Sequence, residues 1–231
     1  MVDRCIISFA NDNRQRNYIK GLARLSESLR HNFDGTFLSW IGELSLGAPL
    51  HSENMYAFKI YAFRAALAAG FKKILWVDSS CFAIKNIQPC FDEIERDGFL
   101  FQDAGWFASQ YINDKALKYF GITREEAREI RLIGNAGMLG LNFDMGLPNV
   151  FFDRWERAMK DGIFIGRWDN KENTESESDE CLGHRHDMVN GIILHQMGVS
   201  HVMKDRDKWL QYGGLYDEVL NETIIWKAQG L

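Results

Sequence analysis

Proline is scarce in this 231-residue chain, with three residues, and there is no low-complexity run. That excludes a linker-rich or fibrous protein. The four cysteines, Cys5, Cys81, Cys90 and Cys181, form no CxxC pair. They read as reduced core thiols rather than as a disulfide framework or a zinc site. No apolar run approaches the ~20 residues that span a bilayer. The opening MVDRCIISFAND is too short and too polar for a signal peptide. A soluble, cytoplasmic protein is expected. Basic residues are outnumbered by acidic ones, 27 to 32, and form no stripe. Nucleic acid is therefore excluded as the main partner, while a nucleotide in a local pocket stays open.

What is present is apolar material in short, separated runs. At 46% hydrophobic residues the chain can bury a sizeable core. CIISFA, Cys5 to Ala10, reads as a buried strand ending in the polar turn NDNRQ. Tyr18, Leu22, Leu25 and Leu29 share one face of a helix. TFLSWI reads as a second strand, and Ser52 can cap a helix that runs to Ala69 and stops at Gly70. KILWV is a third strand. Pro89 opens a helix closed by Gly98, FLFQ is a strand, and Thr123 with Glu126 has capping-box spacing. GMLGLNF is a strand, Pro148 opens another helix, and Asp187 can cap a helix closed by Gly198. VSHVM reads as a final strand before an irregular tail. Strands alternating with helices predict an α/β fold with a mixed, mainly parallel sheet flanked by helices. Residues 169–180, DNKENTESESDE, fall in a connection longer than usual and are expected as a solvated surface loop or a lid over a ligand.

The third strand is apolar at every position from Ile74 to Val77 and then meets Asp78, Ser79 and Ser80. Short polar side chains often cap turns. In open α/β sheets, however, ligands sit beyond the carboxyl ends of central strands. Asp78 is at such an end, and so is the turn after the first strand. Lys59 and Arg64 lie amid apolar residues on the preceding helix and bring positive charge toward the same area. Asp103 and Trp106 follow FLFQ, where an indole face would suit a sugar ring.

These residues carry a resemblance. FKIYAFRAALAAGFKKILWVDSSCFAIKNIQPCFD, residues 58–92, resembles the donor-binding segment of GT-A-fold glycosyltransferases, where ALxxGYxKVLWLDxD leads to LKDLxPLFD. GNAGMLGLN resembles the later NAGVxxxN stretch of that fold. HRHDMVNGIILHQMG resembles its acidic residue and following helix on the acceptor side. The compact form is also similar to glycan-building domains of large DNA viruses, which would place the protein in a host cytoplasm.

The resemblance implies one Rossmann-like GT-A domain over residues 1–231. Residues 1–103 would form the nucleotide half and 104–231 the acceptor half. It implies transfer of a hexose or deoxyhexose from a nucleoside diphosphate sugar, a UDP-sugar foremost, to an acceptor hydroxyl on a glycan. Ser8, Phe9, Ala10 and Asn11 would hold base and ribose, with Lys59, Asp78 and Ser79. Lys204 or Lys208 would reach the diphosphate. Mn²⁺ or Mg²⁺ would be held by Asp78 and Ser80, completed by His201 and Asp205. The family's second aspartate is Ser80 here, and a hydroxyl is a far weaker ligand for a hard cation. Asp187 would be the catalytic carboxylate, its charge favoured by the helix N-terminus, and Asp103, Trp106 and Asn135 would face the acceptor. Two alternatives stay open, a catalytically inactive sugar-nucleotide binder and a sugar nucleotidyltransferase. The latter usually has a glycine-rich basic turn after the first strand, and FANDNRQR has no glycine.

Overall fold

In the computed structural model, residues 3–11, 17–133, 137–186, 188–199, 203–204, 209–212 and 223–227 are described. β1 (Arg4–Ala10), β2 (Thr36–Ile41) and β3 (Lys73–Val77) run parallel in the order β2-β1-β3. The intervening crossovers are α1 (Tyr18–Asn32) and α2 (Phe58–Ala68). Consecutive side chains on β3 point to opposite faces, and both faces are buried. Ile74 and Trp76 enter one core cluster, and Leu75 and Val77 enter the other. That is why the strand reads as an unbroken apolar run.

After β3 come β4 (Cys81–Ala83), α3 (Gln88–Asp97) and β5 (Phe99–Phe107). α4 (Ala108–Tyr111), α5 (Asp114–Phe120), β6 (Arg131–Ile133), β7 (Met138–Asn142) and α6 (Gly146–Lys160) follow. The described part closes with α7 (Met188–Gln196), β8 (Met203–Lys204), β9 (Leu210–Tyr212) and β10 (Ile225–Lys227). The large sheet continues β3-β7-β5-β6 by antiparallel pairing, and β8 joins β5 in parallel. The fold is thus the expected α/β sheet flanked by helices. It is mixed in direction, and its parallel half is β2-β1-β3. The helices α2, α6 and α7 cover one face through Phe63, Trp155 and Ile193, and α1 and α3 cover the other through Leu25 and Phe91. A separate three-stranded sheet, β4-β10-β9, lies beside the turn that follows β3. No helix among the described residues is long and apolar enough to cross a membrane.

Several local expectations shift. The helix expected from Ser52 begins at Phe58, because Tyr56 has φ 60°, a left-handed geometry that a helix interior does not accept. Thr123 and Glu126 do form the reciprocal cap, yet it opens only a 3-10 turn, Glu126–Glu129. The tail expected to be irregular supplies β9 and β10. The acidic connection is a surface loop, as expected, and one held by its own hydrogen bonds. Asn170 Oδ1 accepts from the backbone of Glu175 and Ser176, and its Nδ2 donates to Ser176 O. Glu175 accepts from Asn113 and from the Arg167 backbone, and Glu180 pairs with Arg128.

Candidate functional site

Three elements converge at the carboxyl end of β3. The Asp78 backbone N–H donates to Gly137 O at 2.8 Å, and Asp78 O accepts from Cys81 N–H at 2.9 Å, so the turn is fixed at both ends. The Asp78 carboxylate then gathers three donors. Trp76 Nε1 donates to Oδ1 at 2.8 Å. Lys59 Nζ, from α2, is 3.4 Å from Oδ1. Lys227 Nζ, from β10, donates to Oδ2 at 2.9 Å. Lys227 arrives there because β10 pairs antiparallel with β4, with Lys227 opposite Cys81 just after the turn. Both lysines are buried, and Lys59 also lies over the Trp76 ring, 5.0 Å from its centroid.

Helix α1 sits on the back of the same turn. Gly21 lies so close to it that an added Cβ would be 2.3 Å from Ser79 O. Arg24 Nη2 donates to Ser80 O, and Ser28 Oγ accepts from Ala83 N–H.

In front of the turn is a cavity of about 240 Å³. Its polar lining is Lys59, Asp78, Ser79, Ser80, Asn11 and His51. Its apolar lining is aromatic, with Phe9, Tyr18, Tyr56, Phe58, Trp76 and, at the rim, Trp168. Phe9 and Phe58 are stacked with centroids 4.3 Å apart. Tyr56 stacks on the buried His186 at 3.5 Å. Trp168 is 55% exposed, and the Arg185 guanidinium lies over it at 4.7 Å and over Tyr111 at 5.7 Å. The loop bearing Trp168 is pinned, since His184 N–H donates to Arg167 O and Arg185 N–H to Tyr111 O.

The charges follow from this packing. Burial by itself would raise the Asp78 pKa. The charges of Lys227 and Lys59, with hydrogen bonds from Lys227 and Trp76, outweigh burial and hold the carboxylate well below its usual range. Asp78 is therefore an anion at neutral pH. Burial, reinforced by the charges of Lys59 and Arg185, holds His186 well below the ordinary imidazole value, so it is neutral. Burial likewise lowers His51, against a smaller opposing effect of Glu43. His184 accepts from Asn113 N–H at Nδ1, and its Nε2 is 2.8 Å from Ile163 O, so the Nε2–H tautomer donates there. That ring is a structural, neutral histidine. One carboxylate and two ammonium groups leave the turn with a net positive charge.

A divalent cation does not fit the described donor set. Among the described residues, no three His, Cys, Asp or Glu side chains come together to hold a metal. Among the described residues Asp78 is the one carboxylate on the cavity, and its two oxygens already face ammonium groups. Two unit charges about 4 Å apart interact by ~4 kcal/mol at an effective dielectric near 20. A dication at Asp78 would meet that repulsion twice over from each lysine it did not displace. Ser80 lines the cavity but offers only a hydroxyl.

The structure brings together Phe9, Asn11, Lys59, Asp78, Ser79 and Ser80 of the residues expected at the donor. Ser8 and Ala10 are buried within β1 and do not line the cavity. Asp103 and Trp106 stand away from the lining. Asp103 pairs with Arg131 and accepts from Gly105 N–H, and Trp106 packs edge-on against Tyr111. Asn135, Asp187, His201, Asp205 and Lys208 lie outside the described residues, as does the side chain of Lys204. Sequence reasoning missed Lys227, Tyr56, His51 and Trp168. The run of β-branched and aromatic residues in TIIW was the available sign of a strand at Lys227, and nothing in the sequence tied that strand to Asp78.

With this geometry in place, known structures can be set beside it. A glycosyltransferase involved in the glycosylation of the major capsid of PBCV-1 superposes with a TM-score of 0.51 at 12% identity, over 96% of this chain and 93% of that one. Mouse xyloside xylosyltransferase 1 superposes with a TM-score of 0.52 at 10% identity, over 97% of each chain. The chain has the GT-A fold. The bifunctional glycosyltransferase WbbM matches it with a TM-score of 0.50 at 11% identity, over 97% of this chain but 45% of that one. No protein-family model matches the sequence, and no curated protein does. In this GT-A fold the cavity lies beyond the carboxyl ends of β1 and β3, where open α/β sheets take their ligands.

Proposed function

We propose that the protein is a glycosyltransferase that takes a nucleoside diphosphate sugar, a UDP-sugar foremost, and moves its hexose or deoxyhexose to a hydroxyl of a glycan acceptor. The observation that carries this reading is the cavity itself, which sets a positively charged turn against aromatic walls at the carboxyl end of a GT-A sheet. Flat rings at Phe9, Tyr18 and Tyr56 suit a base, and Asn11 and His51 add polar edges for base or ribose. Lys59 lies where a diphosphate would bring its charge. The leaving nucleotide gains negative charge as the glycosidic bond breaks, and fixed cations stabilise that charge more in the transition state than in the ground state. Trp168 at the rim offers an exposed indole face to a sugar, and Trp106 beyond Tyr111 extends the aromatic surface toward the acceptor side.

Asp187 remains the proposed carboxylate beside the reacting sugar. The test is turnover of a nucleotide-sugar panel by wild type and by Asp187→Asn. Release of free sugar or a transferred glycan from one donor is expected, with Asn at 187 slower by roughly 10²-fold at little cost in donor affinity. Binding of nucleotide without turnover of any donor would make the protein a sugar-nucleotide binder instead.

A further inference from the structure

The cavity has a charge problem that the fold alone does not solve. A nucleoside diphosphate brings at least two negative charges, and the turn that would receive it presents one carboxylate and no second one. The two buried lysines reverse that balance. Lys59 enters from α2 and Lys227 from β10, so they approach Asp78 from two different elements, one against each carboxylate oxygen. Lys59 is further fixed by the Trp76 and Tyr56 rings. Their side chains are 3% and 9% exposed, so neither is a mobile surface charge. A carboxylate clamped this way is poorly placed as a metal ligand but well placed as a brace, holding two ammonium groups at one spot that they would otherwise repel each other from.

We propose that the Lys59–Asp78–Lys227 cluster is the resident cation of the donor site, and that this protein binds a nucleoside diphosphate without a divalent metal. The inference deepens the glycosyltransferase reading and rests on it. Asp78 acts as a positioning residue, Lys59 on the cavity wall meets the phosphate oxygens by a charge-assisted hydrogen bond, and Lys227, which is not part of the cavity lining, offsets the Asp78 carboxylate so that the turn keeps a net positive charge. Ser80 then needs no carboxylate, because no metal has to be shared with it.

The experiment is calorimetric titration of UDP and of GDP into the full chain, once in EDTA and once in Mn²⁺. At least one nucleotide is expected to bind in EDTA, with an affinity within about threefold of that in Mn²⁺. Lys227→Met is expected to weaken that binding by about tenfold or more, and Lys227→Arg to restore most of it, with each variant's melting temperature checked first. Binding that occurs only with Mn²⁺ overturns this inference and leaves the glycosyltransferase reading standing. Absence of UDP and GDP binding in both conditions overturns both. Equal binding by Lys227→Met, folded and in EDTA, removes Lys227 from the site and overturns the cluster as the resident cation. If Lys227→Met does not fold, the comparison of EDTA with Mn²⁺ on the unaltered chain still decides.

Discussion

At the residue scale, Asp78 does two jobs that a substitution would separate. It shapes the turn after β3, and it pairs with two buried ammonium groups. Removing one partner of a buried ion pair costs about 3–5 kcal/mol, because the charge left behind is uncompensated. The Asp78 carboxylate is 24% exposed, so the lower end of that range applies. Asp78→Ala is expected to lose about 3 kcal/mol of stability in urea denaturation near pH 7, besides losing transfer. Unchanged stability would mean that the lysines find other partners. His186 gives a second test at this scale. Its folded pKa is lowered by burial first and by Lys59 and Arg185 next. The unfolded chain takes up that proton below its ordinary pKa of about 6.5, and the folded chain does not. The stability contribution is therefore complete above about pH 6.5 and falls as the pH drops toward the lowered folded value. Thermal unfolding between about pH 7.5 and about pH 5 is expected to show a falling melting temperature. His186→Phe keeps a ring to stack on Tyr56 and should flatten that fall, with His51 supplying what slope remains. Identical slopes in the two proteins would remove His186 from the pH response.

At the scale of elements, α1 was legible by its leucines, and its role was not. Glycine inside a helix costs roughly 0.5–1 kcal/mol relative to alanine. Gly21 is inside one because the Ser79 carbonyl occupies the space a Cβ would need. With Arg24 and Ser28 it makes α1 the backing plate of the turn after β3. Gly21→Ala would gain helix propensity and lose more to overpacking against backbone, for a net destabilisation of roughly 1–2 kcal/mol. Because the displaced atoms belong to the turn at Ser79, nucleotide affinity should fall as well. A stabilised protein of full affinity would show that α1 and the turn can part at no cost. The strands β1, β3 and β7 were legible for the opposite reason. Each is a buried apolar run whose pattern is local. The start of α2 was misplaced because the left-handed Tyr56 leaves no mark in composition. The acidic stretch lies mostly on the surface, as read, but composition could not show that Glu175 and Glu180 find partners in Asn113, the Arg167 backbone and Arg128.

At the scale of the whole molecule, the site joins two sheets. Asp78, Ser79 and Ser80 could be read from the sequence because a strand rich in apolar residues ends on them. Lys227 could not, because 149 residues separate it from Asp78 and only the β10–β4 pairing brings it back. The Ile225 N–H donates to Trp209 O at 2.8 Å within that small sheet. Ile225→Pro removes this donor and leaves Trp209 O with the Ile224 N–H alone, a loss of about 0.5–1.5 kcal/mol for the hydrogen bond, besides the disturbance of the β10 ladder by the proline ring. The large sheet makes no use of that bond. Nucleotide affinity is therefore expected to fall steeply while far-UV circular dichroism and cooperative unfolding persist. Full affinity in this variant would uncouple the small sheet from the site.

The same long return has a consequence in time. A ribosome adding about 5–20 residues per second needs roughly 7–30 s to travel from Asp78 to Lys227. Throughout that interval the emerging chain can build β1, β2 and β3 and bury Lys59, while Asp78 waits with half of its counter-charge. A nucleotide meeting the nascent protein would find a pocket with walls and only one of its two cations. On the function proposed above, the capacity to hold a donor is thus gained in a single late event, when one short strand docks.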